Sequence, residues 1–126
     1  MRKETINDEA YIEDINENTT HYAKVLLYIQ KALLGKVTPS LRQISVNNTD
    51  DEKKIIGIYI YYDGEISAED YTLAQAIICD TAIFFPGYQI DKLIQRVDYP
   101  ERIICEGTRV AFARYEYRER PPELKE

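Results

Sequence analysis

Residues 53–85 constrain the fold most, because a strand, a tight turn and a capped helix follow one another there with almost no residue to spare. The strand is predicted over 53–62, and side chains of one parity share one face of a strand. Its even-numbered positions are isoleucines followed by Tyr62, whereas Tyr59 and Tyr61 stand at odd-numbered positions. We therefore expect one face to be aliphatic and the other to carry tyrosines.

Two helices are predicted around this strand. Residues 20–34 carry apolar side chains at helical spacing, and Gly35 follows as the residue that ends the helix. A second helix opens at Ser67, where Asp70 three residues later forms a capping box with it. The apolar stripe of this helix continues to Phe85, after which a proline and a glycine stop it.

Three further strands are predicted at 40–47, 90–99 and 108–118. The first of them forms a hairpin with strand 53–62 through turn-forming residues at 47–51. The element order is therefore helix, strand, strand, helix, strand, strand. We predict a single α+β domain in which hairpins from both halves join one mainly antiparallel sheet with helices packed on a face.

The length of 126 residues is that of one domain, with a core large enough to fold without disulfides or metal. Residues 18–118 are predicted to form this domain. Residues 1–17 form an acidic N-terminal segment that is either flexible or a short helix. Residues 119–126 are predicted to be a polar tail.

The charge balance narrows the possible partners. Lys and Arg number 16 and Asp and Glu number 22, so the net charge is −6. A general nucleic-acid binder needs a basic surface against phosphate, and this composition argues against one. It permits attraction to a basic partner, although solubility explains the same surplus equally well.

The cysteines and the apolar runs indicate a cytoplasmic protein. Cys79 and Cys105 have no zinc-ligand spacing, and we expect two reduced thiols. The N-terminus has no apolar signal region, and no apolar run approaches the roughly 18–20 residues that cross a bilayer. No cofactor or metal is expected, and neither is a membrane contact.

The most suggestive cluster of carboxylates is Asp63, Glu65, Glu69 and Asp70. Paired carboxylates perform acid–base chemistry or bind divalent ions. A turn, a linker and a helix N-terminus also favour acidic residues at these positions for structural reasons alone. The third interpretation is a surface patch that faces a basic partner.

Eleven tyrosines and no tryptophan are present. Tyr59, Tyr61, Tyr115 and Tyr117 are predicted to share one face of the sheet. Tyrosine buries a large area at low entropic cost and keeps a polar group, which suits both an interface and internal packing. Both alternatives stay open for this set.

The remaining polar residues give no catalytic motif. His21, the only histidine, has no recognisable nucleophile or metal partner and is predicted to be exposed near a helix start. The charged end of the last strand, with Arg114 and Glu116, is predicted to emerge into solvent. Arg96 and Asp98 are expected to form a surface salt bridge at a strand end.

Four segments together resemble a known family: ALLGKVTPSLR at 32–42, YYDGEIS at 61–67, RVDYPE at 96–101 and RYE at 114–116. The family consists of small bacterial α/β proteins, some of them labelled immunity proteins of contact-dependent growth inhibition systems. The resemblance spans about residues 20–117. It implies a protein that binds a cognate toxin C-terminal domain in the cytoplasm of the producing cell and blocks it. Many such toxins are nucleases with basic active sites, which an acidic face could occupy.

Three functional hypotheses follow. The first is an immunity protein, not an enzyme, that contacts its toxin through Asp63, Glu65, Glu69 and Asp70, with Tyr59 and Tyr61 as anchors. The second is a small cytoplasmic enzyme or ligand-binding domain with a carboxylate site at Asp63, Glu65 or Asp98. The third is a homodimeric structural module joined through exposed strands; for the immunity protein we expect a monomer or a weak homodimer.

Overall fold

Two helices and four strands form the part of the chain that the computed structural model describes, residues 17–104 and 109–116. This order of elements is the predicted one. In chain order they are α1 (Glu17–Ala32), β1 (Leu41–Asp50), β2 (Ile55–Tyr62), α2 (Ala68–Ala82), β3 (Gln89–Arg96) and β4 (Arg109–Ala113).

The four strands form one sheet in the order β3-β2-β1-β4. β1 is antiparallel to both β2 and β4, whereas β2 and β3 run parallel on either side of the α2 connection. Two of the three strand pairs are thus antiparallel. The predicted α+β domain with a mainly antiparallel sheet is confirmed, as is the hairpin between the first two strands.

The hairpin predicted for the second half of the chain is wrong. β3 and β4 occupy opposite edges of the sheet instead of pairing with each other. The α2 crossover returns the chain beside β2, and the segment after β3 then passes the ends of the central strands before β4 takes the free edge of β1. Arg42 in β1 holds this passing segment by hydrogen bonds to the carbonyl oxygens of Val97 and Glu101.

The core lies between one face of the sheet and both helices. The aliphatic parity of β2 is fully buried as predicted, and its members Ile58 and Ile60 pair with Val46 and Ile44 of β1. The helices bury their own apolar stripes against this face. The helical members of the core are Val25, Ile29, Ala32, Ala74, Ile77 and Ile78.

The turn between β1 and β2 begins later than predicted. Residues 47–50 were expected in the turn but belong to β1, with a register shift between Asn47 and Asp50. Asp50 Oδ1 accepts the backbone N–H groups of Glu52 and Lys53, at 2.9 and 3.2 Å, so this side chain starts the turn. Next to the shift, a Cβ at Gly57 would overlap the carbonyl of Asn47, so the strands approach closely there.

Other boundaries also differ from expectation. α1 spans Glu17–Ala32 rather than 20–34, and β3 ends at Arg96 rather than at residue 99. β4 ends at Ala113, and the side chains of the residues that follow it bond into a cluster of charged groups. The predictions for residues 1–16, Cys105, Tyr117 and the tail at 119–126 lie outside the described residues.

His21 is buried, with 6% of its surface exposed, so the prediction of an exposed residue is wrong. Its ring stacks on Tyr88 at 5.3 Å between centroids and meets the edge of Phe85 at 5.8 Å. Its Nδ1 lies 3.7 Å from Asp51 Oδ1. Burial lowers the pKa of His21, opposed by the charge of Asp51, so the neutral imidazole is favoured in the folded chain.

We expect the free energy of unfolding to fall as the pH drops below about 6.5, the pKa of histidine in an unfolded chain. The unfolded chain takes up the proton first, and the difference persists down to the lowered folded pKa of His21. The slope for one proton is at most about 1.4 kcal/mol per pH unit. Because His21 is the only histidine, His21→Phe should flatten the curve just below about pH 6.5, measured by urea denaturation; equal slopes would contradict this.

Candidate functional site

One end of the sheet gathers polar residues from four separate parts of the chain. β1 begins there, and the residues that follow β2, β3 and β4 lie beside its first residues. Leu41 pairs with Tyr62, and Val97 N donates to Tyr62 O at 2.9 Å, which brings the end of β3 beside the end of β2. Arg114 N donates to Arg42 O at 2.8 Å, which adds the chain after β4.

Arg42 is the centre of this cluster and is only 3% exposed. Its Nε and Nη2 donate to the two carboxylate oxygens of Glu116, at 2.6 and 3.0 Å, in a bidentate pair. Its Nη1 donates to Val97 O at 2.7 Å and to Glu101 O at 2.9 Å. The hydrogen bond with Glu116 raises the pKa of Arg42 further and lowers that of Glu116. A buried guanidinium needs such a nearly complete set of acceptors, and here they come from two segments, one after β3 and one after β4.

Arg114 extends the cluster toward the α1–β1 loop. Its Nη1 donates to Pro39 O at 2.7 Å, and its Nη2 donates to Asp63 and to Glu116, both at 3.1 Å. The prediction that Arg114 and Glu116 emerge into solvent is therefore wrong. Glu116 is needed inside the protein because it pairs with the buried Arg42 and with Arg114. The alternation of side chains along a strand does not predict such long-range pairs.

Asp63 is held from two sides. Its carboxylate accepts the backbone N–H of Tyr99 at 3.1 Å and the guanidinium of Arg114. These contacts, the Tyr99 N–H first, lower the pKa of Asp63. Nearby, Asp98 accepts Gly64 N–H at 2.8 Å and pairs with Arg96 at the outside of the cluster, as the predicted surface salt bridge. Half of each side chain of that pair remains exposed.

Arg42→Met should destabilise the protein by about 3–5 kcal/mol, because it leaves Glu116 as a buried charge without its main partner. Arg96→Met is the matched control, since it removes one arginine from an exposed pair and should change stability far less. Urea denaturation of both variants measures the difference. Equal losses would show that the Arg42 pair is not the stabilising one.

Asp70, one of the predicted contact residues, is buried and serves the fold. Its N–H donates to the Ser67 hydroxyl at 3.0 Å, which confirms the expected helix cap. Its carboxylate accepts the hydroxyls of Thr38 at 2.9 Å and Ser40 at 2.7 Å, and its carbonyl oxygen accepts the Tyr62 hydroxyl at 3.1 Å. The burial of Tyr62 raises its pKa to about 12. Asp70 thereby joins the first turn of α2 to the start of β1.

Asp70→Ala should lower the free energy of unfolding by about 2–4 kcal/mol, since two half-buried hydroxyls lose a charged acceptor. Glu69→Ala, one position earlier in the same helix turn and exposed, should stay within about 0.5 kcal/mol of the wild type. Thermal or urea unfolding distinguishes them. A small effect of Asp70→Ala would mean that these hydroxyls find water instead.

The six predicted contact residues do not form one exposed set. Glu65 and Glu69 are exposed, and Asp63 is half-buried within the arginine cluster. Tyr59 and Tyr61 lie on the sheet face opposite to the helices, where the Tyr59 hydroxyl meets Asp91 at 3.2 Å and Tyr61 is buried. Contact with a partner stays a prediction, and Glu65 and Glu69 are its most accessible members.

Negative charge is distributed unevenly along the chain. Residues 17–104 and 109–116 contain 13 acidic and 11 basic side chains, whereas residues 1–16 contain five acidic and two basic ones. The described surface is therefore close to neutral. An acidic contact face within these residues must therefore be a small patch on a nearly neutral surface. The net charge of the whole chain does not show this uneven distribution.

A cleft lies beside the arginine cluster and was missed by sequence reasoning. One cavity of about 430 Å³ adjoins a second of about 280 Å³, and both are lined by Arg114, Tyr115 and Glu116. Tyr115 is 88% exposed at their shared wall. Arg102, with Ile103, lines the larger cavity and Tyr99 the smaller one. These residues come from the ends of two edge strands, so only the tertiary fold brings them together.

Within residues 17–104 and 109–116, no group of three His, Cys, Asp or Glu side chains could hold a metal ion. The helices of that same portion of the chain are too short or too polar to cross a membrane. Cys79 is an exposed free thiol on α2. The geometry at the sheet end is thus that of a charge cluster whose members bond mainly to one another.

Comparison with protein families identifies a match. A family model described as MafI2 immunity protein matches residues 22–116, which include about two thirds of α1, all later helices and strands, and the whole arginine cluster. No curated protein matches the chain. The match agrees with the resemblance to immunity proteins and ends at Glu116, the carboxylate that pairs with Arg42.

Proposed function

Because the chain belongs to the MafI2 immunity protein family, we propose that it binds a cognate toxin domain and neutralises it by stoichiometric contact. The observation that carries this proposal is the extent of the match, which takes in three quarters of the chain and every segment of the polar cluster. Protection of the producing cell requires that the complex forms where the toxin acts, and we propose the cytoplasm.

We further propose that the toxin is the C-terminal domain of a contact-dependent growth inhibition protein. The segments that suggested such systems are residues 32–42, 61–67, 96–101 and 114–116. In the fold they converge on the arginine cluster, so they form one physical unit. A shared unit of this kind supports common ancestry of the scaffold. The identity of the toxin must be tested directly.

The chemistry of the cluster favours binding over catalysis. Asp63 and Asp98, two of the carboxylates considered for a reactive site, both accept backbone N–H groups and arginine donors, which hold their pKa values below the usual range. A general base near neutral pH needs the opposite shift. Glu65, the third candidate, is exposed, and it does not line either of the two cavities described above.

The direct test uses the purified chain and the toxin domain encoded beside its gene. We expect a one-to-one complex with a dissociation constant well below 1 μM, and restored growth when the two are produced together. Size-exclusion chromatography with light scattering gives the stoichiometry, and the same measurement on the chain alone gives its own oligomeric state. No complex at micromolar concentration, together with no protection, would remove the proposal.

Glu65→Lys combined with Glu69→Lys should slow association with the toxin domain about tenfold at low salt and leave dissociation nearly unchanged. The reason is that both side chains are exposed near the α2 N-terminus and can attract a basic surface before contact. Glu52→Lys, in the exposed turn at the other end of the sheet, is the control. Stopped-flow association rates that do not differ between these variants would clear the acidic pair of this role.

A further inference from the structure

The cleft beside Tyr115 has the properties of a preorganised contact surface. Residues 114 and 116 direct their side chains into the arginine cluster, and Arg114 N is bonded to β1 at Arg42 O. The residue between them therefore points outward on a fixed backbone. Its ring is a large aromatic group that costs little entropy to immobilise on binding.

The cleft contains hydrogen-bond donors that are unused within the described residues, and its one carboxylate is already paired. Both oxygens of Glu116 accept arginine N–H groups. A guanidinium has five N–H donors. Arg42 uses four donors and Arg114 uses three, which leaves one and two within the described residues. Arg102, in the wall of the larger cavity, has no hydrogen-bond or ion-pair partner in the described portion.

Apolar surface adjoins these donors. Ile103, which lines the larger cavity, is half-buried there. Together with Tyr115 and Arg102 it gives an aromatic, an arginine and an aliphatic side chain around a concave polar centre. Interfaces concentrate binding energy in tyrosine and arginine at such places, with apolar contacts that exclude water around them.

We propose that this cleft, defined by Tyr99, Arg102, Ile103 and Tyr115, is the surface that holds the toxin, and that it receives an acidic side chain of the toxin against Arg102. The inference rests on the proposed function and adds the surface and the chemistry of the contact. A carboxylate supplies acceptors for the unused donors, and the ring of Tyr115 packs beside it. Glu65 and Glu69 are exposed and of opposite charge to Arg102, so a toxin that contacts both regions must match both signs.

The experiment measures binding of the toxin domain to Tyr115→Ala and Arg102→Glu by surface plasmon resonance. We expect at least tenfold weaker binding for each, with Tyr115→Ala acting mainly through faster dissociation. Lys53→Glu is the matched control for Arg102→Glu, because it makes the same charge change on an exposed residue at the opposite end of the sheet. It should bind within about twofold of the wild type.

We expect both variants to fold, because both altered side chains are exposed and carry no described structural bond. Melting temperatures equal to that of the wild type check this. If both variants and Lys53→Glu bind like the wild type, the inference is wrong while the proposed function stands. If Arg102→Glu and Lys53→Glu weaken binding equally, the effect is one of net charge and the carboxylate contact is wrong. If the wild type itself forms no complex, the proposed function fails and this inference with it.

Discussion

Everything at the functional end of this molecule depends on the burial of one guanidinium. An arginine that is removed from water must keep nearly all of its donors bonded, because an unpaired buried charge costs several kcal/mol. Arg42 meets this requirement with the carboxylate of Glu116 and two backbone carbonyls from the segment after β3. A single side chain of β1 thereby determines the positions of two segments, one after β3 and one after β4. Loss of Glu116 would leave Arg42 as a buried charge without its carboxylate.

At the start of α2, Asp70 is a second buried charged group that needs hydrogen-bond partners. It is an acid buried among hydroxyl donors, and its contacts join the helix to the residues that lead into β1. Both polar centres therefore converge on residues 38–42, one from the helix side and one from the edge of the sheet. The apolar core holds the sheet and the helices together without regard to direction. The two polar centres add direction, because hydrogen bonds require particular partners at particular angles.

Local patterns predicted much of the fold, and long-range partners explain the rest. The alternating isoleucines of β2 identified its buried face, and Ser67 with Asp70 identified the start of α2. The register and the edge position of β4 depend on contacts between residues 74 positions apart, such as Arg42 and Glu116, and no local period encodes them. The sequence also suggested Asp70 as a surface acid, although the hydroxyls that bury it lie about 30 positions earlier. At the candidate site, Glu65 and Glu69 were foreseen as accessible, whereas the cleft at Tyr115 arises only when two strand ends meet.

The cluster and the cleft are two sides of one arrangement. Alternate residues after β4 point in opposite directions, so the ion pairs of residues 114 and 116 necessarily project Tyr115 the other way. Bonds made on folding thus fix the backbone at this position, and its ordering entropy is lost before any partner arrives. A flexible loop carrying the same tyrosine would lose that entropy in the complex and bind more weakly. Burying charge at the end of a sheet has a desolvation cost. Its consequence here is a fixed backbone that presents the exposed side chain of Tyr115.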